Sequence, residues 1–362
     1  DGKWVNPSNN RYFDTINPAN EEKLAEIAWA TEDDVDLAVM AARKAYKEVW
    51  SVMKASERAK YIFRIARLMQ EKARELAVIE TLDGGKPIRE SRDIDIPLAC
   101  NHFFYYAGWA DKLQDAFPNK TIQERNQIAK EFYQKFTDSF FETIKLISMS
   151  DKSFTKRFTS NVEVLNELYA SGQNVQLMAG HFFNWEFANW GAAKYGKYPF
   201  IAVYMPLSNS FFDRLILDMR KRYGSIMIPA TNFKNQFHKY ATSGPYAMAL
   251  AADQNPGNPK SAFWVPFFGQ LTPFVKGPEK GAKLNNTAQV FIHFYSTKRG
   301  HYHAHYEVMT TVPNYFKDGQ LTALYVKVLE DKIKQHPANY LWSHRRWRYP
   351  YDAATYGHLV VD

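Results

Sequence analysis

Asn174-Val-Gln-Leu-Met-Ala-Gly180-His181-Phe-Phe-Asn-Trp-Glu186 is the stretch on which the fold turns. Residues 174–180 form a short, mostly apolar run closed by glycine, the pattern of a buried strand, and the chain then enters a helix reaching about Tyr195. Working outward, residues 123–145 place Phe132, Phe136, Phe140 and Ile144 four apart, as on one side of a helix. Residues 200–204 read as a strand, 210–223 as a helix, and 246–252 as a strand running into Asp253-Gln254-Asn255. Residues 289–295 and 303–309 read as a hairpin pair, and 321–335 as a late helix. Strands alternating with helices predict an α/β fold, a central sheet flanked by helices on both faces.

A histidine at a strand's end, on the turn into a helix, sits at the carboxyl edge of the sheet, where α/β sites gather. Glu186 follows five residues later, so the two cannot share one face of a continuous helix. They meet only if His181 precedes the helix and the chain folds back, an arrangement that suits a general base oriented by a carboxylate. The amides of residues 182–184 would then face a developing oxyanion. The plainer reading is a capping histidine beside an unrelated surface glutamate. Zinc needs a third ligand, and neither a His-Glu-x-x-His spacing nor a Cys/His cluster occurs, so no metal or other cofactor is expected. His301, His303 and His305 would share one strand face, read as an exposed face or a metal site.

The 362 residues suffice for two or three domains. The single cysteine, Cys100, excludes an intrachain disulfide framework and reads as a small buried hydrophobe. Apolar runs are too short to cross a bilayer, and no signal segment opens the chain, which begins at Asp1 and so reads as a possible fragment. Charge is uneven: residues 1–117 carry a net −3 and the remainder a net +11. A basic segment of that kind prefers anionic partners such as phospholipid headgroups, nucleic acid, phosphorylated sugars or an acidic carrier protein, or is simply a solvated surface.

The first part reads as mainly helical. Thr31-Glu-Asp-Asp34 is a capped start, residues 57–79 form an amphipathic helix, Asp83-Gly-Gly-Lys-Pro87 breaks it, and 94–113 form another. Gly84-Gly85-Lys86 lacks the spacing and the hydroxyl residue of a phosphate loop. Asp1-Gly-Lys-Trp-Val5, Thr15-Ile-Asn-Pro18, Thr81-Leu-Asp-Gly-Gly-Lys-Pro87 and Tyr105-Tyr-Ala-Gly-Trp-Ala110 resemble the N-terminus of the aldehyde dehydrogenase family. The cofactor loop and nucleophilic cysteine that the resemblance implies further along are absent. An oxidoreductase remnant is the alternative; it predicts nicotinamide-cofactor binding, and no such binding is expected.

From about residue 118 the resemblance changes without a linker, which identifies the chain as a chimera: 1–117 a non-catalytic aldehyde-dehydrogenase-like fragment, 118–362 a second domain. Gly180-His-Phe-Phe-Asn-Trp-Glu186, Val203-Tyr-Met-Pro206 with Asp213 and Arg220, Ala252-Asp-Gln-Asn255 with Phe263-Trp-Val-Pro-Phe-Phe-Gly269, and Leu341-Trp-Ser-His-Arg-Arg-Trp-Arg348 resemble, in order, the blocks of the lipid A late acyltransferase family. Methionine stands where the family has arginine before Pro206. The resemblance implies a glycerolipid-acyltransferase-like fold and transfer of a fatty acyl group from acyl carrier protein to a hydroxyl of a lipid A precursor or other glycolipid. His181 would be the base and Glu186 its orienting carboxylate. It implies the cytoplasmic face of the bacterial inner membrane, with peripheral attachment here because the aldehyde-dehydrogenase-like segment stands where a membrane helix is expected. Arg220 then holds a phosphate or carboxylate of the acceptor, or is an exposed helix arginine beside Lys221 and Arg222. Asp253 positions Arg220 or another part of the site, or merely forms a turn. Arg345, Arg346 and Arg348, interleaved with Trp342 and Trp347, meet anionic headgroups at the membrane surface. No recognised module supports nucleic acid as a partner. Phe211-Phe212 and residues 263–268 read mainly as core with some tunnel-lining members. A non-catalytic anionic-lipid-binding module is the remaining alternative.

Overall fold

In the structure, a computed structural model, residues 4–107, 116–207, 209–344 and 346–361 are described. The chain divides into two compact units, Asp1–Asn119 and Lys120–Asp362.

The first unit opens with an antiparallel hairpin, β1 (Tyr12–Ile16) and β2 (Lys23–Ala28), which the helical reading does not anticipate. Neither strand buries a residue, so no apolar alternation marks them in the sequence. Helix α1 (Glu32–Ala45) starts at the anticipated capping box, in which Thr31 and Asp34 satisfy each other's backbone N–H groups. The expected 57–79 helix is two, α2 (Ala55–Glu71) and α3 (Ala73–Gly84), parted at Lys72, which leaves helical geometry at ψ 15°. Gly85 ends α3 in the left-handed region at φ 67°, and Lys86 pairs with Asp95 and Glu80. The glycine pair is thus a helix stop. Helix α4 (Ile96–Ala107) follows and buries Cys100; the rest of the expected 94–113 helix lies outside the described residues. Among the described residues of this unit, the buried apolar side chains are five alanines, Pro7, Cys100 and Phe117, while Leu37, Leu68, Ile79 and Leu98 are exposed.

The second unit begins with α5 (Ile122–Ser148), again under a capping box, Thr121 with Glu124. Its sheet has seven strands: β3 (Phe158–Ser160), β4 (Val175–Ala179), β5 (Phe200–Tyr204), β6 (Ile226–Pro229), β7 (Ala247–Ala251), β10 (Ala288–Lys298) and β11 (His301–Thr310). The spatial order is β3-β11-β10-β4-β7-β5-β6. Strands β10, β4, β7, β5 and β6 run parallel, and β11 turns back antiparallel to β10. A separate two-stranded ribbon joins β8 (Ala262–Phe267) to β9 (Gln270–Val275). The connections between strands carry helices α6 (Glu163–Ala170), α7 (Trp185–Tyr195), α8 (Ser210–Arg220), α9 (Phe233–Ala241) and α10 (Gly277–Asn285), and α11 (Gln320–Gln335) follows the last strand. A mixed α/β architecture around a central sheet therefore stands. Strands β3, β6, β8 and β9 and helices α6, α9 and α10 go beyond the sequence reading. No described helix is long and apolar enough to cross a membrane.

One core layer is aromatic: Phe154 and Phe158 stack at 5.3 Å, and Phe154 meets Phe187 at 5.6 Å and Trp190 at 5.4 Å. A smaller cluster, Ile201, Ile228, Tyr246 and Met248, fills the β5–β6 side. Residues Phe263, Trp264, Val265 and Phe267 are core as expected, whereas Phe211 and Phe212 are exposed at the start of α8.

Candidate active site

Strands β4 and β7 are parallel neighbours, with Ala179 paired to Ala251 at their carboxyl ends. His181 and Asp253 each lie two residues beyond that pair. Because side chains repeat every second residue along a strand, the continued register carries both to the same place on the sheet edge. The imidazole Nδ1 lies 2.6 Å from Asp253 Oδ1, and the His181 backbone N–H donates to Oδ2 at 2.9 Å. Asp253 is buried, while the His181 side chain keeps 27% of its exposure. Gly180 suits this turn: a Cβ at that position would come within 2.6 Å of Leu329 Cδ1 and 2.8 Å of the Phe182 ring, so those side chains would have to shift.

Burial of His181 works against its charged form, but the charge of Asp253 and the hydrogen bond to it outweigh that, so the imidazole pKa is raised. Burial pushes the Asp253 carboxyl up, yet the His181 charge, the bonds from His181 and a bond from Tyr340 hold it below the ordinary value. An ionised Asp253 accepts the Nδ1 proton, which leaves the Nε2 lone pair facing outward, where the Gln254 side-chain amide donates to it at 3.2 Å.

Glu186 lies elsewhere than the sequence reading expects. Helix α7 begins only at Trp185, with Asn184 as its cap, so Glu186 is the helix's second residue and is buried facing α8. Its carboxylate accepts from Arg220 Nε at 2.9 Å and Nη2 at 2.5 Å, and from the Trp185 indole at 3.0 Å. The carboxylate on the imidazole is Asp253. The Arg220 pKa is raised: burial opposes the charge, but the bonds and charge of Glu186 prevail. Arg220 sits in the last turn of α8 with its side chain 21% exposed. The Trp185 ring, 6.4 Å from the His181 ring, links the two pairs. Two of the three amides expected to face an oxyanion are engaged: Phe182 N–H bonds to Gly180 O and Phe183 N–H to Asn339 O.

Arg346 is likewise not at a surface that meets headgroups. It is 3% exposed, donates to Asn255 Oδ1 at 2.7 Å and to Pro273 O at 2.8 Å, and lies 4.0 Å over the Phe274 ring. Arg345 lies outside the described residues. His301, His303 and His305 alternate with buried Tyr302, Ala304 and Tyr306 on β11, and His303 Nδ1 lies 2.8 Å from Thr159 Oγ1. Among the described residues no group of three or more His, Cys, Asp or Glu side chains is arranged to hold a metal ion.

Comparison with known proteins finds two families, whose matches overlap across residues 110–135. The family described as "Bacterial lipid A biosynthesis acyltransferase" matches residues 110–349, and the "Aldehyde dehydrogenase family" matches residues 4–135. Among curated relatives, an aldehyde dehydrogenase of Bacillus subtilis is 47% identical over 114 residues, 31% of this chain and 23% of its own length. Aldehyde dehydrogenase B of Escherichia coli is 41% identical over 106 residues, 29% of this chain and 20% of its own. The chain thus spans about a fifth to a quarter of these relatives. A betaine aldehyde dehydrogenase structure from Staphylococcus aureus matches at 40% identity with a TM-score of 0.30, covering 31% of this chain and 22% of that one.

Proposed function

Since the chain belongs, over residues 110–349, to the bacterial lipid A biosynthesis acyltransferase family, we propose that it moves a fatty acyl group from acyl carrier protein to a hydroxyl of a lipid A precursor or related glycolipid. The observation that carries this reading is the 2.6 Å contact of His181 Nδ1 with buried Asp253 at the carboxyl edge of the parallel strands. An imidazole so held has one nitrogen fixed as a donor and the other free to take a proton.

The acceptor hydroxyl displaces the Gln254 amide and donates its proton to His181 Nε2 as its oxygen attacks the thioester carbonyl. Collapse of the tetrahedral adduct breaks the C–S bond, and the imidazolium returns the proton to the leaving thiolate. Asp253 stabilises the imidazolium while it lasts and fixes the tautomer before and after. Arg220, held rigidly by Glu186, is the cation presented to a phosphate or carboxylate of the acceptor. The reaction takes place at the cytoplasmic face of the inner membrane, where such acceptors reside. Residues 1–117 take no part in the chemistry.

Thiol release from acyl carrier protein tests this scheme. It should require the acceptor and should fall by orders of magnitude in His181→Ala. Equal release without acceptor, or an unimpaired alanine variant, would overturn it.

A further inference from the structure

Arg346 is a buried cation whose hydrogen-bond acceptors among the described residues are neutral oxygens, the Asn255 amide and the Pro273 carbonyl. Placing a guanidinium there is costly unless its geometry is used. Its planar fork is suited to bridging separate elements. One arm reaches Asn255, two residues from Asp253; the other reaches β9; and its flat face lies 4.0 Å from the Phe274 ring centroid.

The chain just before Arg346 touches both halves of the His181–Asp253 pair. Leu341 N–H donates to His181 O at 2.8 Å, and Phe183 N–H donates to Asn339 O at 2.9 Å. The Asn339 amide donates to Phe183 O and Phe294 O, both at 2.8 Å. Asn255 N–H donates to His344 Nε2 at 3.4 Å, and the Tyr340 hydroxyl helps hold the Asp253 carboxyl below its ordinary pKa. Residues 339–344 therefore run as a strap across the loops after β4 and β7, with Arg346 anchoring the same turn.

We propose that Arg346 is a positioning residue, its buried guanidinium holding the 253–255 turn so that Asp253 meets the His181 imidazole. This rests on reading that pair as the acyl-transfer dyad, but the contact can be measured without substrate. Asp253 keeps its short bond only while the turn is pinned; released, the turn moves and the imidazole loses the charge that favours its protonated form.

The test is titration of His181 by its ring nitrogen resonances in histidine-labelled full chain, comparing wild type, Arg346→Met and Arg346→Lys. Arg346→Met should lower the His181 midpoint by about one pH unit, the scale on which a neighbouring charge acts, with Arg346→Lys in between. In the transfer assay, kcat should fall in Arg346→Met while KM for the acceptor stays put. Asn255→Ala, which removes the acceptor and leaves the arginine, should repeat the shift and serves if Arg346→Met does not fold. A folded Arg346→Met or Asn255→Ala with the wild-type His181 midpoint would reduce Arg346 to packing and overturn the proposal. A shifted midpoint in a protein without acyl transfer would leave the positioning role standing and overturn the functional reading instead.

Discussion

Asp253→Asn removes one charge from the site and little else, because the side chains are isosteric and the position is buried. At an effective dielectric near 20, unit charges about 4 Å apart interact by about 4 kcal/mol, roughly a thousandfold in rate if that stabilisation is felt only once His181 is protonated. The 2.6 Å contact and the near-absence of solvent around Asp253 put the pair at or above that figure. Asparagine can also donate to Nδ1 and so favour the wrong tautomer, which brings the expected fall in kcat to roughly 10³–10⁴. The pH profile supplies an independent sign. His181 must be neutral to act, so kcat/KM rises with pH through its pKa, and Asp253 raises that pKa. Asp253→Asn should therefore move the acid limb to lower pH even as it lowers the plateau. Steady-state rates of acyl transfer from acyl carrier protein across pH 5–9 would show both effects. A variant within about tenfold of wild type, or an unmoved limb, would refute the assignment of Asp253 as the orienting carboxylate.

Glu186→Gln should behave differently: its partners are Arg220 and Trp185, so KM for the acceptor should rise while the acid limb stays where it is, as rates over acceptor concentration at several pH values would show. The His181–Asp253 pair should stabilise the fold most at about pH 4–6. The raised His181 pKa contributes stability that is lost as pH rises through the folded value, and the lowered Asp253 pKa contributes stability lost as pH falls through its own. The melting difference between wild type and Asp253→Ala should accordingly peak there and shrink on either side. Phe154→Ala opens the aromatic layer, with a cost of about 3–5 kcal/mol and a melting point lower by on the order of 10 °C. Residues 1–119 expressed alone should lack a cooperative thermal transition, since their buried core is mostly alanine while larger apolar side chains lie exposed; calorimetry would check this.

The elements around the site are largely legible because their patterns are local. Strand β5 falls on the expected residues, and β4, β7, α5 and α11 lie within a few residues of their expected bounds. Pairing is not local. That His181 meets Asp253 depends on β4 and β7 being neighbours across a 72-residue separation, which neither strand encodes by itself. A usable signal was present: each residue stands at the same distance past a short apolar strand. Glu186 attracted the orienting role through its spacing, but the chain reaches helical geometry only at Trp185, and the helix then turns the carboxylate toward α8. Arg346 reads as surface because it sits in a run of basic residues. The Phe274 ring and the oxygens of Asn255 and Pro273, distant in sequence, help make a buried position tolerable.

The central claim meets its most direct test in the mass of the acceptor. The full chain is incubated with acyl carrier protein bearing one fatty acid and with a lipid A precursor carrying a free hydroxyl. The account predicts a product heavier by a single acyl group, formed by wild type and lost in His181→Ala. An acceptor of unchanged mass with folded wild-type protein, or the same gain from the alanine variant, would contradict it.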